Sequence, residues 1–96
     1  MSTEQELFQR GPEEWNAWKA SVDHPDLSGV SISGEDLTAY DLSGVDLTNS
    51  RLDGAKLTDV NLSGAILDGA SLRNAILLGA NLRRASAWPD KASSTL

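Results

Sequence analysis

The chain has 96 residues, no cysteine and a formal net charge of −6. That length holds one domain, and the lack of cysteine excludes a disulfide staple or a thiolate metal site. No stretch approaches the ~20 apolar residues of a membrane span, and the start MSTEQELFQRG has no apolar signal core, so the expectation is a cytoplasmic protein without membrane association. The charge is uneven. Residues 26–45 hold four acids and no base, whereas residues 66–85 hold three arginines against Asp68.

Residues 1–25 form an N-terminal segment. Within it, Gly11–Ser21 predicts one short amphipathic helix. Pro12 suits the first turn, and Glu13 and Glu14 favour its positive N-terminus. Trp15, Trp18 and Val22 share one stripe. Both tryptophans are expected to cover the open start of the region beginning at residue 26.

From residue 26 the chain is periodic. Leucine or isoleucine recurs every fifth residue: Leu27, Ile32, Leu37, Leu42, Leu47, Leu52, Leu57, Leu62, Leu67, Leu72, Leu77 and Leu82. On a helix these would sit roughly 140° apart, and on a straight strand they would alternate faces. The chain must therefore turn once per five residues to aim all twelve inward as a core. Two residues before each leucine stand mostly Ala or Val, small enough for a second inward position. Asp or Asn often precedes the leucine, and Gly often follows it by two, where tight corners need φ > 0. Pro25, Glu35 and Tyr40 break the small-residue rule at inward positions of the first repeats, which we read as an adjustment at a covered end.

Stretches such as Ala65-Ile66-Leu67-Asp68-Gly69 and Ala80-Asn81-Leu82-Arg83-Arg84 resemble the pentapeptide-repeat family, written A-[D/N]-L-x-x. The resemblance implies an all-β solenoid: a right-handed quadrilateral parallel β-helix over residues 26–87. Four pentads would form one coil, twelve would form about three, and residues twenty apart would share a column. At about 4.8 Å per coil the rod would be ~15 Å long. Together with the helix leading into Pro25-Asp26-Leu27-Ser28-Gly29, the start also resembles a leader of bacterial pentapeptide-repeat proteins.

After Leu82 the pattern decays. Trp88 is expected to cover the last coil, and residues 90–96 read as a disordered tail, giving a C-terminal segment of 88–96.

Chemistry-bearing motifs are scarce. His24 is the single histidine, sits before Pro25 and has no second His or Cys to complete a metal site or triad. No nucleophile elbow, phosphate loop or dinucleotide fingerprint appears. The expectation is no catalysis, no cofactor and no metal. The outer aspartates read as turn supports. Ile76 and Leu78 should both face solvent beside Leu77, with Ile66 exposed on the opposite face. Ile76, Leu78 and Trp88 therefore form a candidate protein interface.

The functional reading is a non-catalytic protein-binding or scaffold module. Homodimerisation through the C-terminal end is one expected partner mode, and head-to-tail pairing of the acidic start with the basic end is its rival. The alternative is a DNA mimic binding DNA gyrase or another topoisomerase, as the resemblance suggests for some family members. Short length and the basic last coil disfavour it. Direct nucleic-acid contact through Arg73, Arg83 and Arg84 is a weak footprint on an acidic chain.

Overall fold

The computed structural model describes residues 3–86 and 93–95. Two helices, α1 (Thr3–Gln9) and α2 (Pro12–Lys19), precede two strands, β1 (Arg73–Ile76) and β2 (Ser93–Thr95), which pair in parallel. Between α2 and β1 the order is carried by parallel one-residue bridges whose partners lie twenty residues apart. Asp26, Asp46, Ile66 and Ser86 form one column; Ser31, Arg51 and Ser71 form the next. Asp36, Lys56 and Ile76 make the third, and Asn61 pairs Asn81 in the fourth. Residues 26–45, 46–65 and 66–85 therefore lie as successive layers.

The hydrogen bonding explains the layering. The residue before each leucine turns both backbone groups toward the preceding layer. Asp46 donates its N–H to Pro25 O and accepts from Leu27 N, both at 2.8 Å. Arg51 does the same with Val30 O and Ile32 N, and Lys56 with Glu35 O and Leu37 N. Each leucine then closes a four-residue turn, as Leu27 O does by accepting from Val30 N at 3.1 Å. The third residue of these turns has φ between 58° and 74° at every repeat except that of Ala39, the signature of a type II turn. Glycine fills most of these sites. Asn49, Asp59, Asn74 and Arg84 take the left-handed conformation without being glycine.

Eleven of the twelve periodic residues are buried. Ile32 is 4% exposed and the other ten are at 0%, while Leu82, in the last repeat, is half-buried. Val45, Ala55, Val60, Ala65, Ala70 and Ala75 fill the second inward row. Ser50 occupies that row too, 1% exposed, and its Oγ finds no hydrogen-bond partner. Glu35, expected inward, is exposed. A carboxylate among leucines would lose its hydration, and the first layer has one open side through which it can leave.

The N-terminal segment holds two helices, where the sequence predicted one. Phe8 of α1 is 2% exposed. Its ring stacks on Tyr40 at 4.2 Å and meets Trp15 edge-on at 5.4 Å. The Tyr40 hydroxyl donates to Phe8 O at 2.8 Å, and burial, with Glu35 nearby, pushes its pKa above the usual value. Trp15 is fully buried, whereas Trp18 is half-buried.

Helix α2 also stands in for missing backbone. Asp41 precedes Leu42 in the first layer and has no earlier layer to pair with. Trp15 Nε1 donates to Asp41 O at 2.9 Å, and Asp41 N donates to Asn16 Oδ1 at 2.8 Å. Asn16 Nδ2 also donates to Ala39 O at 2.9 Å. Lys19 lies along the same edge, 8% exposed, with Nζ donating to Ser43 Oγ at 2.9 Å and 3.7 Å from Asp41 Oδ1. Its apolar stem covers the core while its charge finds partners at the rim. Asp26, Ser31 and Asp36, the corresponding first-layer residues, are exposed, so water serves them.

The C-terminal stretch departs from expectation. The ladder continues past Leu82 to Ser86, whose N–H donates to Ala65 O at 2.9 Å. Ser93–Thr95, expected within a disordered tail, form β2, with Ser93 opposite Arg73 and Thr95 opposite Ile76. The last layer presents unpaired backbone groups along its edge, and a Ser-Ser-Thr segment can pair with them without burying a charge. The rest of that expected tail, residues 90–92 and 96, and Trp88 lie outside the described residues.

The aspartates are turn clamps. Asp26, Asp36, Asp41 and Asp46 each accept, through Oδ1, the N–H and hydroxyl of the Ser or Thr two residues on, at 2.6–3.0 Å. Asn61 does the same for Ser63 without a charge. The Ser28 and Thr38 hydroxyls and N–H groups hold the Asp26 and Asp36 carboxyls below the ordinary carboxylate range. Burial pushes Asp41 up, but Ser43 and Lys19 outweigh it and its pKa is lowered.

This geometry yields three expected outcomes. A Cβ on Gly44, at φ 70°, would meet Asp23 O at 2.9 Å, whereas one on Gly29, at φ 73°, meets nothing within 4 Å. Gly29→Ala should cost about 1 kcal/mol of left-handed strain, and Gly44→Ala measurably more, read by urea unfolding. Equal losses would place Asp23 elsewhere. Trp15→Ala should lose about 3–5 kcal/mol, with Trp15→Phe between it and the parent because packing is partly kept and the Asp41 bond is not. Because Asp26, Asp36 and Asp41 have lowered folded pKa values, their contribution is complete above the ordinary carboxylate pKa of about 3.9 and fades as pH falls through the lower folded values. Melting temperature should therefore be flat from neutrality to about pH 5 and drop below about pH 4. Asp26→Asn with Asp36→Asn should shrink that drop while leaving the turns intact; an unchanged acid slope would refute the clamp.

Candidate interaction surface

Alternation along the extended segments turns the residues on either side of each leucine outward. In the third column this exposes two large apolar side chains. Ile76 is 43% and Leu78 50% exposed, on either side of fully buried Leu77. In the two layers before, the same positions carry Asp36 and Thr38, then Lys56 and Thr58, so the apolar pair belongs to the last layer alone. Ile66, expected to be exposed in another column, is half-buried between Asp46 and Ser86. Trp88, the third member of the expected interface, lies outside the described residues.

A second feature has no counterpart among the sequence expectations. In the second column a recess opens between the second and third layers. Asn49, Ser50, Arg51, Asp53, Ser71 and Arg73 line it. Asp53 spans the layers: its Oδ1 accepts from Ser71 Oγ at 2.5 Å and from Arg73 N at 2.9 Å. The Ser71 bond chiefly, with help from the Arg73 N–H and the charges of Arg73 and Arg51, holds the Asp53 carboxyl below the ordinary range. The sequence carries a sign of it, since Arg51 and Ser71, and Asp53 and Arg73, are pairs twenty residues apart. Applying the twenty-residue register to the leucines alone misses these pairs.

The remaining polar groups are engaged locally. His24 Nδ1 lies 3.1 Å from Gly44 O, a contact that requires the proton on Nδ1 and fastens the α2 linker to the first layer. Ser86 Oγ receives the N–H of Leu67 at 3.3 Å and donates to Asp68 Oδ1 at 3.0 Å. Among the described residues no group of three or more His, Cys, Asp or Glu is placed to hold a metal ion. No helix of the described residues is long and apolar enough to cross a membrane. Phe8, Asn16 and Lys19 anchor the start of the stack, and the sequence pattern marks none of them. The spacing of Phe8 from Trp15 crosses a helix break at Gly11, so no single periodic stripe connects them.

The sequence pattern described as pentapeptide repeats matches residues 26–59 and 55–87, in eight copies. No curated protein matches the chain. Such repeats imply a right-handed quadrilateral β-helix generally, in agreement with the twenty-residue register of the bridges. With more than half of its length matched, the chain belongs to the pentapeptide-repeat family.

Proposed function

We propose that the protein is a non-catalytic protein-binding or scaffold module of the bacterial cytoplasm. In this reading the layers are about three coils of a right-handed quadrilateral β-helix spanning 26–87, and α1 and α2 are its N-terminal cap. Pentapeptide-repeat proteins are generally non-catalytic, and the family suggests a repeat scaffold for protein interaction. The observation that carries the reading is the division of labour along each pentad. Inward positions are committed to packing, and clamped turns hold the outward ones in fixed places. Function then resides in outward side chains, and Ile76 with Leu78 is the large apolar pair exposed among the described residues.

The docking mode we favour places a protein partner on the last layer around Ile76 and Leu78. A second copy joined at its C-terminal end is the homomeric form of the same contact. A gyrase-binding DNA mimic is less well supported, because Arg51, Arg73, Arg83 and Arg84 interrupt any acidic track along the second and third layers.

Affinity capture from the native host with the parent chain and with Ile76→Glu/Leu78→Glu tests the reading. Specific proteins retained by the parent and lost by the variant support it. Sedimentation of the two forms identifies the homomeric case. A parent that is strictly monomeric and retains nothing the variant does not would overturn it, as would inhibition of gyrase supercoiling that persists in the variant.

A further inference from the structure

The recess of the second column stands apart from the apolar pair at Ile76 and Leu78. Asp53 Oδ1 takes the Ser71 hydroxyl and the Arg73 N–H. Arg51 and Arg73 are exposed, and neither guanidinium makes an ion pair or side-chain hydrogen bond among the described residues. The layering puts Ser71 over Arg51 and Arg73 over Asp53, so the two arginines occupy one diagonal of a four-residue patch and the Ser71–Asp53 bond the other. Asn49 sits at the corner in the left-handed conformation, its Oδ1 filling the space a Cβ on Gly69 would need. Its amide NH2 has no acceptor among the described residues.

Two guanidiniums and one amide NH2 around a concavity with a single carboxylate make a locally positive lining on a chain of net charge −6. Guanidinium forks match oxyanions in geometry and charge. A carboxylate offers two oxygens, too few for donors arriving from both layers and from the corner. A phosphate group offers more.

We propose that this recess is a binding site for a phosphate-type oxyanion, held by Arg51 and Arg73 from adjacent layers, with the Asn49 amide NH2 completing the contact. The two arginines act as a pair because the twenty-residue register fixes their separation. The anion joins the second layer to the third, so occupancy stabilises the stack.

The test uses the full chain with 15N labelling, at constant ionic strength maintained with chloride. Inorganic phosphate is titrated in one series and glycerol 3-phosphate in another. The expected result is saturable shifts of the Arg51 and Arg73 side-chain Nε–H and Asn49 Nδ2 signals. Melting temperature should rise along the same curve. Arg51→Gln and Arg73→Gln should each weaken binding by roughly tenfold or more, while Arg83→Gln, on the same net charge, leaves it unchanged. Saturation by glycerol 3-phosphate alone identifies a phosphomonoester, and saturation by both identifies the phosphate group itself. Linear, unsaturable shifts with both probes overturn the proposal. So does an equal loss in the Arg83→Gln control, which would mean diffuse attraction to net charge.

Discussion

The constraint on which the rest depends is the tight turn after each leucine. A chain that bends every five residues can aim one large side chain inward per bend, provided the third turn residue accepts positive φ. Glycine supplies this most often, and Asn and Asp tolerate it. Arg84 is the costly exception, with φ 61° on a long side chain. The bend also turns the backbone groups of the residue before each leucine along the stack, so that every layer is a template for its neighbour. Packing and hydrogen bonding thus share one period, and neither can be altered without the other.

A template has ends, and at the N-terminal one α2 meets the first layer. The indole and carboxamide of Trp15 and Asn16 take up the N–H and carbonyl of Asp41 that an earlier layer would have engaged. The same helix inserts Trp15 into the apolar opening, and α1 adds Phe8 behind it. One eight-residue helix therefore satisfies the polar edge and the apolar mouth together. The arrangement is economical because the edge requiring side-chain partners is short: Asp26, Ser31 and Asp36 stay in contact with water.

Much of this was legible in the residues. The leucine period specified the inward side chains, and the Gly and Asn positions located the turns, because both obey local stereochemistry. What escaped were contacts between stretches far apart in the chain. Phe8 gave no periodic signal, since a seven-residue helix ending before Gly11 is too short to show one. Only the fold brings Asp41 and Ser43 to the ammonium group of Lys19. Glu35 was misplaced because the inward rule ignored its charge: Pro25 and Tyr40 at the same end do pack inward, whereas the carboxylate stays exposed. Ser93–Thr95 were missed because their pairing is dictated by the open edge they meet, and hardly by their own composition.

The outward surface obeys a different logic from the core, and the recess shows it. Beyond the first layer, inward residues are constrained by volume, and Ser50 stands there among Val and Ala. Outward residues answer only to their neighbours above, below and beside them. The same register that stacks leucines therefore composes surface sites two layers at a time, as it does with Arg51, Asp53, Ser71 and Arg73. Such a site forms only if both layers are present and in register. Ligand binding and the stability of the stack are then linked, since an anion bridging two layers binds the folded arrangement and not the separated chain. A stack of so few layers has little stability to spare, and outward residues that recruit a bridging ligand add to it without changing the leucine core.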